Sequence, residues 1–147
     1  KRKINLVLIA RTESSLVEIS DSLRKKYQVD VKYLALDLSL KDSQEKILQW
    51  IQQNKISVNI LVNNAGYGLW GKFEELTLDE QLNMLQLNLF AMIKLAYLLL
   101  PNLKAQPQSY ILNVASTAAY QAIPGMNSYA ASKSFVILFS RANVLKS

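Results

Sequence analysis

Residues 58–66 read VNILVNNAG, an apolar run that passes directly into two asparagines, an alanine and a glycine. An apolar run of this length predicts a buried strand, here at 58–62. Glycine after a strand lets the backbone approach a ligand closely, and asparagine accepts unusual turn conformations. The turn at 63–66 is therefore a candidate binding segment, with an ordinary turn as the alternative.

Strand-like and helix-like stretches alternate along the rest of the chain. Apolar runs predict three further strands, at 5–10, 31–36 and 109–114. Helical spacing predicts helices at 12–27, 41–54, 78–100 and from about 128 onward, the third starting at a capping pair of Thr77 and Glu80 and ending at Pro101. Strict alternation predicts an α/β fold, a doubly wound parallel sheet with helices on both faces, in one domain over residues 1–147.

Composition excludes several kinds of chemistry. The 147 residues include no cysteine and no histidine, so disulfides and Cys- or His-based metal sites are excluded, and acid–base work would fall to carboxylates, lysine or tyrosine. The net charge is +6, but the basic residues are scattered, so no nucleic-acid partner is expected. No charge-free apolar run reaches about 18 residues, and no targeting segment follows the opening KRK. A cytoplasmic protein without a membrane partner is expected.

Polar residues follow three other strands, at the edge of a parallel sheet where ligands bind. Arg11 could bind a phosphate, or it could be a surface arginine. Asp37 could accept from an adenine amino group while the backbone beside it donates to a ring nitrogen, or it could cap a turn. Ser116 could donate to a substrate oxygen, or it could cap a loop. None of these residues decides between its two interpretations alone.

Residues 128–134 read SYAASKS and place Tyr129 and Lys133 one helical turn apart. Residues four apart share a helix face. A lysine ammonium held near a tyrosine favours its phenolate form. The tyrosine could then exchange a proton with a substrate hydroxyl or carbonyl near neutral pH. An exposed pair on an amphipathic helix is the alternative, because YxxxK alone is a weak pattern.

These motifs occur together in a defined order and spacing. Asn88 lies 25 residues after Asn63, and Ser116 lies 13 residues before Tyr129, which Lys133 follows. Together with NNAG, the set resembles the short-chain dehydrogenase/reductase family, in its branch of shorter subunits. The resemblance runs from about residue 5 to about residue 139, with LALDLS at 34–39 similar to the family's third strand and LNVAST at 112–117 similar to its fifth.

The resemblance implies a Rossmann-type fold and a nicotinamide-dependent oxidoreductase. Tyr129 would be the general acid–base. Lys133 would favour its ionised form and bind the nicotinamide ribose hydroxyls. Ser116 would hydrogen-bond the substrate oxygen, and Asn88 would help hold a water that links Lys133 to solvent. These four residues form the expected catalytic set, and no metal is expected.

The resemblance also implies a set of cofactor contacts. The NNAG segment would line the cofactor, and Asp37 with Leu38 would hold the adenine. In this family an arginine just past the second strand goes with a 2′-phosphate, so Arg11 favours NADP(H) over NAD(H). The implied cofactor-binding residues are Arg11, Asp37, Leu38, Asn63, Ala65, Gly66, Tyr129 and Lys133.

The chain departs from the family pattern at both ends. The glycine-rich TGxxxGxG turn that binds the pyrophosphate does not occur in the sequence. We therefore expect a chain that lacks the family's first strand and C-terminal strands and belongs to a longer protein. In the family's sheet the first strand lies between the second and the fourth. Without it, the strands at 5–10 and 58–62 would each keep an unpaired edge.

Three functions are compatible with the motifs. The first is an NADP(H)-dependent carbonyl reductase or alcohol dehydrogenase acting on a small molecule. The second is a catalytically silent dinucleotide-sensing or scaffold module, and the third is an enzyme of nucleotide sugars, which NNAG disfavours. Apolar residues near the strand ends indicate an apolar substrate: Tyr67, Leu69, Trp70, Tyr120 and Ile123.

A homodimer or homotetramer is expected, because the helices at 78–100 and 128–139 are apolar on several faces. The residues concerned are Leu82, Leu85, Leu89, Met92, Ile93, Leu99, Phe135, Leu138 and Phe139.

Overall fold

The computed structural model describes residues 3–142. The chain divides after Ser43 into two compact units, which are described separately below. The assignment of residues 1–147 to a single domain stays a prediction.

The first unit is a strand–helix–strand unit. It consists of β1 (Leu6–Ala10), α1 (Glu13–Tyr27) and β2 (Val31–Ala35). The two strands are parallel, and their register runs from Leu6 opposite Val31 to Ala10 opposite Ala35. Helix α1 ends at Gln28, whose left-handed conformation directs its N–H to the carbonyl of Arg24. Leu16 and Ser20 of this helix are buried, as is Val31 of β2.

The second unit contains the remaining regular structure. Its strands β3 (Ile60–Asn63) and β4 (Tyr110–Asn113) are parallel, with Ile60 opposite Tyr110 and Asn63 opposite Asn113. Its helices are α2 (Ser43–Gln53, whose first residue closes the first unit), α3 (Leu78–Leu85), α4 (Met92–Lys104) and α5 (Asn127–Ala142). A 3-10 helix at Thr117–Tyr120 completes it. The most deeply buried side chains come from α2, α3, α4 and α5: Ile47, Met84, Leu99, Leu103 and Val136.

The long central helix differs from its prediction in two ways. The capping box of Thr77 and Glu80 is present at its start as predicted. However, residues Gln86–Ala91 between α3 and α4 are π-helical, which apolar spacing did not reveal. The helix also continues through Pro101 to Lys104. Proline removes the hydrogen bond to the carbonyl of residue 97; Tyr97 is 76% exposed, so water can serve that carbonyl.

The strand bounds differ from the predictions by one or two residues. The largest difference is at β3, which begins at Ile60 rather than Val58. The N–H of Val58 donates instead to the side-chain oxygen of Asn102 on α4, at 2.8 Å. Asn102 therefore accepts from an N–H group that would have bonded within the sheet if β3 had begun at Val58.

The two strand pairs are separate sheets. β1 is hydrogen-bonded to β2 and β3 to β4, so among residues 3–142 β1 and β3 each keep one unpaired edge, as expected. One face of the β3–β4 pair is also open. Its apolar side chains are about half exposed rather than buried, which corrects the expectation of strands covered on both sides: Ile60, Val62, Tyr110 and Leu112.

The stretch Leu78–Lys104 also corrects an expectation about membranes. Its 27 residues are long and apolar enough to cross a membrane by length and composition, and 33% of its apolar window is buried. The sequence criterion had counted only charge-free runs and missed it. The stretch passes this test by length and composition only, and it carries two buried polar side chains, Gln81 and Asn88.

Candidate active site

Tyr129 and Lys133 lie together on α5, as their spacing predicts. The ammonium nitrogen of Lys133 is 5.9 Å from the centre of the Tyr129 ring. Lys133 is only 6% exposed, whereas Tyr129 is half-buried. The exposed-pair alternative is therefore wrong for Lys133, because a solvated surface lysine would not be buried.

The Lys133 ammonium is anchored at the carboxyl end of β4. It donates a hydrogen bond of 3.0 Å to the carbonyl of Val114, the residue after the strand. The N–H of Val114 in turn donates to the carbonyl of Asn63 at 2.9 Å, which joins the ends of β3 and β4. An ammonium has three donors, and the bond to Val114 uses one of them.

Asn88 lies within the π-helical segment and is 3% exposed. Its side-chain oxygen accepts from the N–H of Tyr67 at 3.1 Å, and its side-chain nitrogen donates to the carbonyl of Tyr67 at 2.9 Å. The same nitrogen reaches the hydroxyl of Ser132 on α5 at 3.4 Å. This side chain therefore ties the segment after β3 to the helix that carries Tyr129 and Lys133.

Two glycines allow this segment to run so close to the site. A Cβ at Gly66 would lie 2.7 Å from the side-chain oxygen of Asn88 and 3.5 Å from the Lys133 nitrogen. A Cβ at Gly68 would lie 3.4 Å from the Tyr129 ring. The first distance is shorter than real Cβ atoms allow, so a larger residue at 66 would displace Asn88. The NNAG segment is more than an ordinary turn, because its Gly66 lies against two of the predicted catalytic residues, Asn88 and Lys133.

Asn63 is engaged inside the fold. Its side-chain nitrogen donates to the side-chain oxygen of Asn113 at 2.8 Å, and the Asn113 nitrogen donates to the hydroxyl of Ser140 at 2.9 Å. These bonds run from β3 through β4 to α5. Ala65, two residues further on, is exposed. Asn63 therefore fixes the strand ends, and Ala65 is placed where a ligand could meet it.

Ser116 follows β4 and shows the capping geometry that was its alternative interpretation. Its hydroxyl oxygen accepts from the N–H of Ala118 at 3.2 Å, as the cap of the 3-10 helix. The hydroxyl hydrogen remains a donor that a substrate oxygen could receive. The two interpretations of Ser116 are thus compatible.

Arg11, Asp37 and Leu38 lie in the first unit. Asp37 accepts from the N–H of Ser39 at 2.9 Å and from its hydroxyl at 2.7 Å, so it holds a turn. The hydroxyl of Ser39 first, its N–H second and, less strongly, the charge of Arg11 hold the pKa of Asp37 below its ordinary value. Arg11 is exposed and Leu38 is half-buried. The turn-aspartate alternative therefore describes Asp37 as it stands, and the adenine contact stays a prediction.

Three polar residues at the site were missed by the motif search. They are Gln81 on α3, and Ser128 and Ser132 on α5. Gln81 accepts from Ser128, which precedes Tyr129, and Ser132 accepts from Asn88. Two of them lie inside the quoted stretch SYAASKS, where only Tyr129 and Lys133 were given a function. Gln81 gave no signal of its own in the sequence, because four of the eight residues of α3 are polar.

Comparison with known proteins supports the family that the sequence motifs indicated. A family model described as short chain dehydrogenase matches residues 1–145. The chain belongs to this family. The match covers nearly the whole chain, so the family assignment made from NNAG, Ser116 and YxxxK is confirmed.

Among curated short chain dehydrogenases, the very-long-chain 3-oxoacyl-CoA reductase of Rattus norvegicus is 31% identical over 145 residues, covering 96% of this chain and 46% of the relative. The NADP-dependent 3-hydroxy acid dehydrogenase of Schizosaccharomyces pombe is 31% identical over 141 residues, covering 95% and 54%. The chain thus spans about half the length of the curated relatives it matches.

Solved structures of the family confirm the Rossmann-type α/β fold. L-Sorbose reductase from Gluconobacter frateurii, complexed with NADPH and L-sorbose, has a TM-score of 0.86 at 28% identity, covering 92% of this chain and 52% of that one. An alcohol dehydrogenase from Thermococcus sibiricus, complexed with 5-hydroxy-NADP, has a TM-score of 0.86 at 28% identity, covering 94% and 58%.

Proposed function

We propose that the full-length protein is an NADP(H)-dependent oxidoreductase that interconverts a carbonyl and a hydroxyl group on a small, apolar substrate. The observation that carries this proposal is the buried Lys133 ammonium, 5.9 Å from the ring centre of Tyr129 and fixed to the end of β4. The family assignment supports it, because the matched relatives are named as reductases and dehydrogenases.

Tyr129 would transfer the proton. The positive charge of Lys133 lies where it would stabilise the negative charge that forms on the tyrosine oxygen during proton transfer. The hydroxyl could then give a proton to a developing alkoxide, and the resulting phenolate could take one back from an alcohol. The ammonium of Lys133 donates to the carbonyl of Val114, an acceptor without net charge.

Ser116 and Asn88 would support this transfer in different ways. Ser116 would donate its hydroxyl hydrogen to the substrate oxygen while its own oxygen accepts from Ala118. The side chain of Asn88 is occupied by Tyr67 and Ser132, and it thereby holds Gly66 against Lys133. Its predicted role in holding a water beside Lys133 stays a prediction.

The described residues fit the nicotinamide end of NADP(H). The glycine at 66 lets the backbone run beside Asn88 and Lys133, since a Cβ there would collide with Asn88. The remaining donors of Lys133 and the Tyr129 hydroxyl suit ribose hydroxyl groups. The cofactor, when bound, would supply or accept the hydride, and Tyr129 would donate or accept the proton.

Arg11 supports NADP(H) over NAD(H). It is exposed and follows β1 directly, where a guanidinium could form charge-assisted bonds to a 2′-phosphate. The carboxylate of Asp37 does not argue against NADP(H), since its hydrogen bonds to Ser39 hold it within its own turn. The names of several matched proteins also mention NADP or NADPH.

Apolar residues near Tyr129 support an apolar substrate. A small crevice beside Tyr129 is lined by Leu69, Phe73, Leu76 and Met126, among others. Trp70 and Tyr120 on the neighbouring loops are 71% and 73% exposed. Two relatives are named for 3-oxoacyl and 3-hydroxy acid substrates, so 3-oxoacyl esters belong in any substrate panel.

Assembly through the two apolar helices is part of the proposal. The structure changes the residues involved, because Met92 and Leu99 are buried within the unit. The exposed apolar side chains on these helices are Leu78, Leu82, Phe90, Tyr97, Phe135 and Leu138. We expect a homodimer or homotetramer in which this surface, hereafter the helix surface, is covered. A cytoplasmic location is proposed with it.

The deciding experiment follows NADPH absorbance while the full-length protein is offered a panel of ketones, aldehydes and 3-oxoacyl esters. Turnover that disappears in Tyr129→Phe supports the oxidoreductase. Binding of NADPH without turnover on any substrate would instead favour the silent dinucleotide-sensing module. Absence of NADPH binding would contradict both.

A further inference from the structure

Gln81 is a buried amide between two segments that meet at Tyr129. It lies on α3, is 6% exposed and lines the crevice beside Tyr129. Buried amides are retained where their hydrogen bonds are satisfied. The partners of Gln81 therefore show what this residue holds together.

The nitrogen of the Gln81 side chain holds the segment that follows β3. It donates to the carbonyl of Leu76 at 3.2 Å and to that of Phe73 at 3.4 Å. The same segment touches the tyrosine directly, because a Cβ at Gly68 would lie 3.4 Å from the Tyr129 ring. Its backbone is also bonded to the loop before α5, from the N–H of Gly71 to the carbonyl of Gly125 at 3.0 Å.

The oxygen of the same side chain holds the first turn of α5. It accepts from the hydroxyl of Ser128 at 2.6 Å. Ser128 immediately precedes Tyr129, and α5 begins only one residue earlier, at Asn127. The first turn of a helix lacks partners for its own leading N–H groups and frays readily. A side-chain bond at Ser128 therefore restrains the backbone that carries the tyrosine.

We propose that Gln81 is a positioning residue that acts through Ser128 to fix Tyr129 against the substrate. This rests on the proposed function, in which Tyr129 transfers the proton. Proton transfer needs a heavy-atom separation of about 2.6–3.2 Å, and a displacement of about 1 Å can cost on the order of 10²-fold in rate. Lys133 is held by Val114 and not by Gln81, so cofactor affinity should be insensitive to Gln81.

The test uses the full-length protein with NADPH and a substrate that the wild type reduces. We expect Gln81→Met and Ser128→Ala each to lower kcat by about 10–30-fold while the KM for NADPH changes by less than about 2-fold. Ser128→Thr keeps the hydroxyl and should retain at least about half of wild-type kcat. The double variant Gln81→Met/Ser128→Ala should be no slower than the slower single variant, since each substitution already removes the bond between these two side chains. Asn83→Ala, exposed on the same helix, is the control.

Wild-type kcat in both single variants, losses that multiply in the double variant, or failure of Ser128→Thr to restore kcat would each overturn the proposal. A second measurement does not depend on turnover. Amide hydrogen exchange in residues 128–131 should accelerate in Ser128→Ala and stay near wild type in Ser128→Thr, and unchanged exchange in both would also overturn it. A wild type that turns over no substrate would instead count against the proposed function.

Discussion

Asn88 pairs through both ends of its side-chain amide with the backbone of Tyr67, at 3.1 and 2.9 Å. The Asn88 amide thus makes the two backbone hydrogen bonds that a neighbouring strand could make with Tyr67. It gives the segment after β3 a fixed position beside Lys133, although that segment is not in a sheet. The proposed catalytic geometry therefore depends on Asn88, whose side chain bonds to the backbone of Tyr67.

Replacing Asn88 should therefore affect folding as well as activity. Asn88→Leu keeps the size but leaves the N–H and C=O of Tyr67 without these partners, which should cost about 1–3 kcal/mol of unfolding free energy. Urea unfolding of the full-length protein measures this loss. Asn83→Leu, exposed on the same helix, should change stability by less than about 0.5 kcal/mol. Equal effects of the two variants would contradict the assignment.

Tyr129→Phe should abolish proton transfer while preserving the packing of the ring against Gly68. We expect kcat to fall by about 10²–10⁴-fold with little change in the dissociation constant for NADPH. Stopped-flow turnover and NADPH fluorescence titration measure the two quantities. Tyr110→Phe, a tyrosine that is 53% exposed at the start of β4, serves as the matched control. Wild-type kcat in Tyr129→Phe would remove Tyr129 from its assigned role.

Arg11→Asp should shift the cofactor preference from NADPH towards NADH. Loss of one charge-assisted bond together with a new repulsion should cost about 2–4 kcal/mol in the ratio of kcat/KM for the two cofactors. Arg11→Ala separates the lost bond from the repulsion. Lys26→Asp, the same charge change at the end of α1, controls for long-range electrostatics. A ratio that Arg11→Asp leaves unchanged would make Arg11 a surface arginine.

The capping box predicts a defined response to acid. The hydroxyl of Thr77 first and its N–H second hold the pKa of Glu80 below its ordinary value of 4.5. Because the pKa is lowered in the folded state, the stabilisation is present above pH 4.5 and is lost as the pH falls through the folded value. Thr77→Ala should cost about 1 kcal/mol near pH 7, and less at about pH 3. Unfolding free energies at both pH values test this, and a cost independent of pH would contradict it.

The helix surface predicts an oligomer. Tyr97→Glu places a charge where a side chain is 76% exposed in one subunit, so it should dissociate an assembly that covers this residue. Light scattering at micromolar concentration should show a smaller mass than for the wild type. Gln53→Glu, exposed at the end of α2, should leave the mass unchanged. A monomeric wild type would rule the interface out.

Much of this structure was predictable from local patterns. Apolar runs identified β1 to β4 because these strands are short and aliphatic, and Thr77 with Glu80 identified the start of α3. The spacing of Tyr129 and Lys133 placed them on one helix face. The π-helical turn was not predictable, because its residues have ordinary helical composition and only the packing of Asn88 distinguishes them. The role of Gln81 was equally hidden, since it depends on Ser128, which lies 47 residues away.

The π-helical turn at Gln86–Ala91 has a genetic consequence. Such a turn accommodates one more residue than an α-helical path between the same ends. Deleting a single codon there would restore α-helical bonding between the same ends, so α3 and α4 would keep their relative orientation. The residues within the segment would change direction, so Asn88 would leave its position opposite Tyr67. We expect such a deletion to leave the cap at Thr77 and the contacts of Gln81 in place while it removes the bonds between Asn88 and Tyr67.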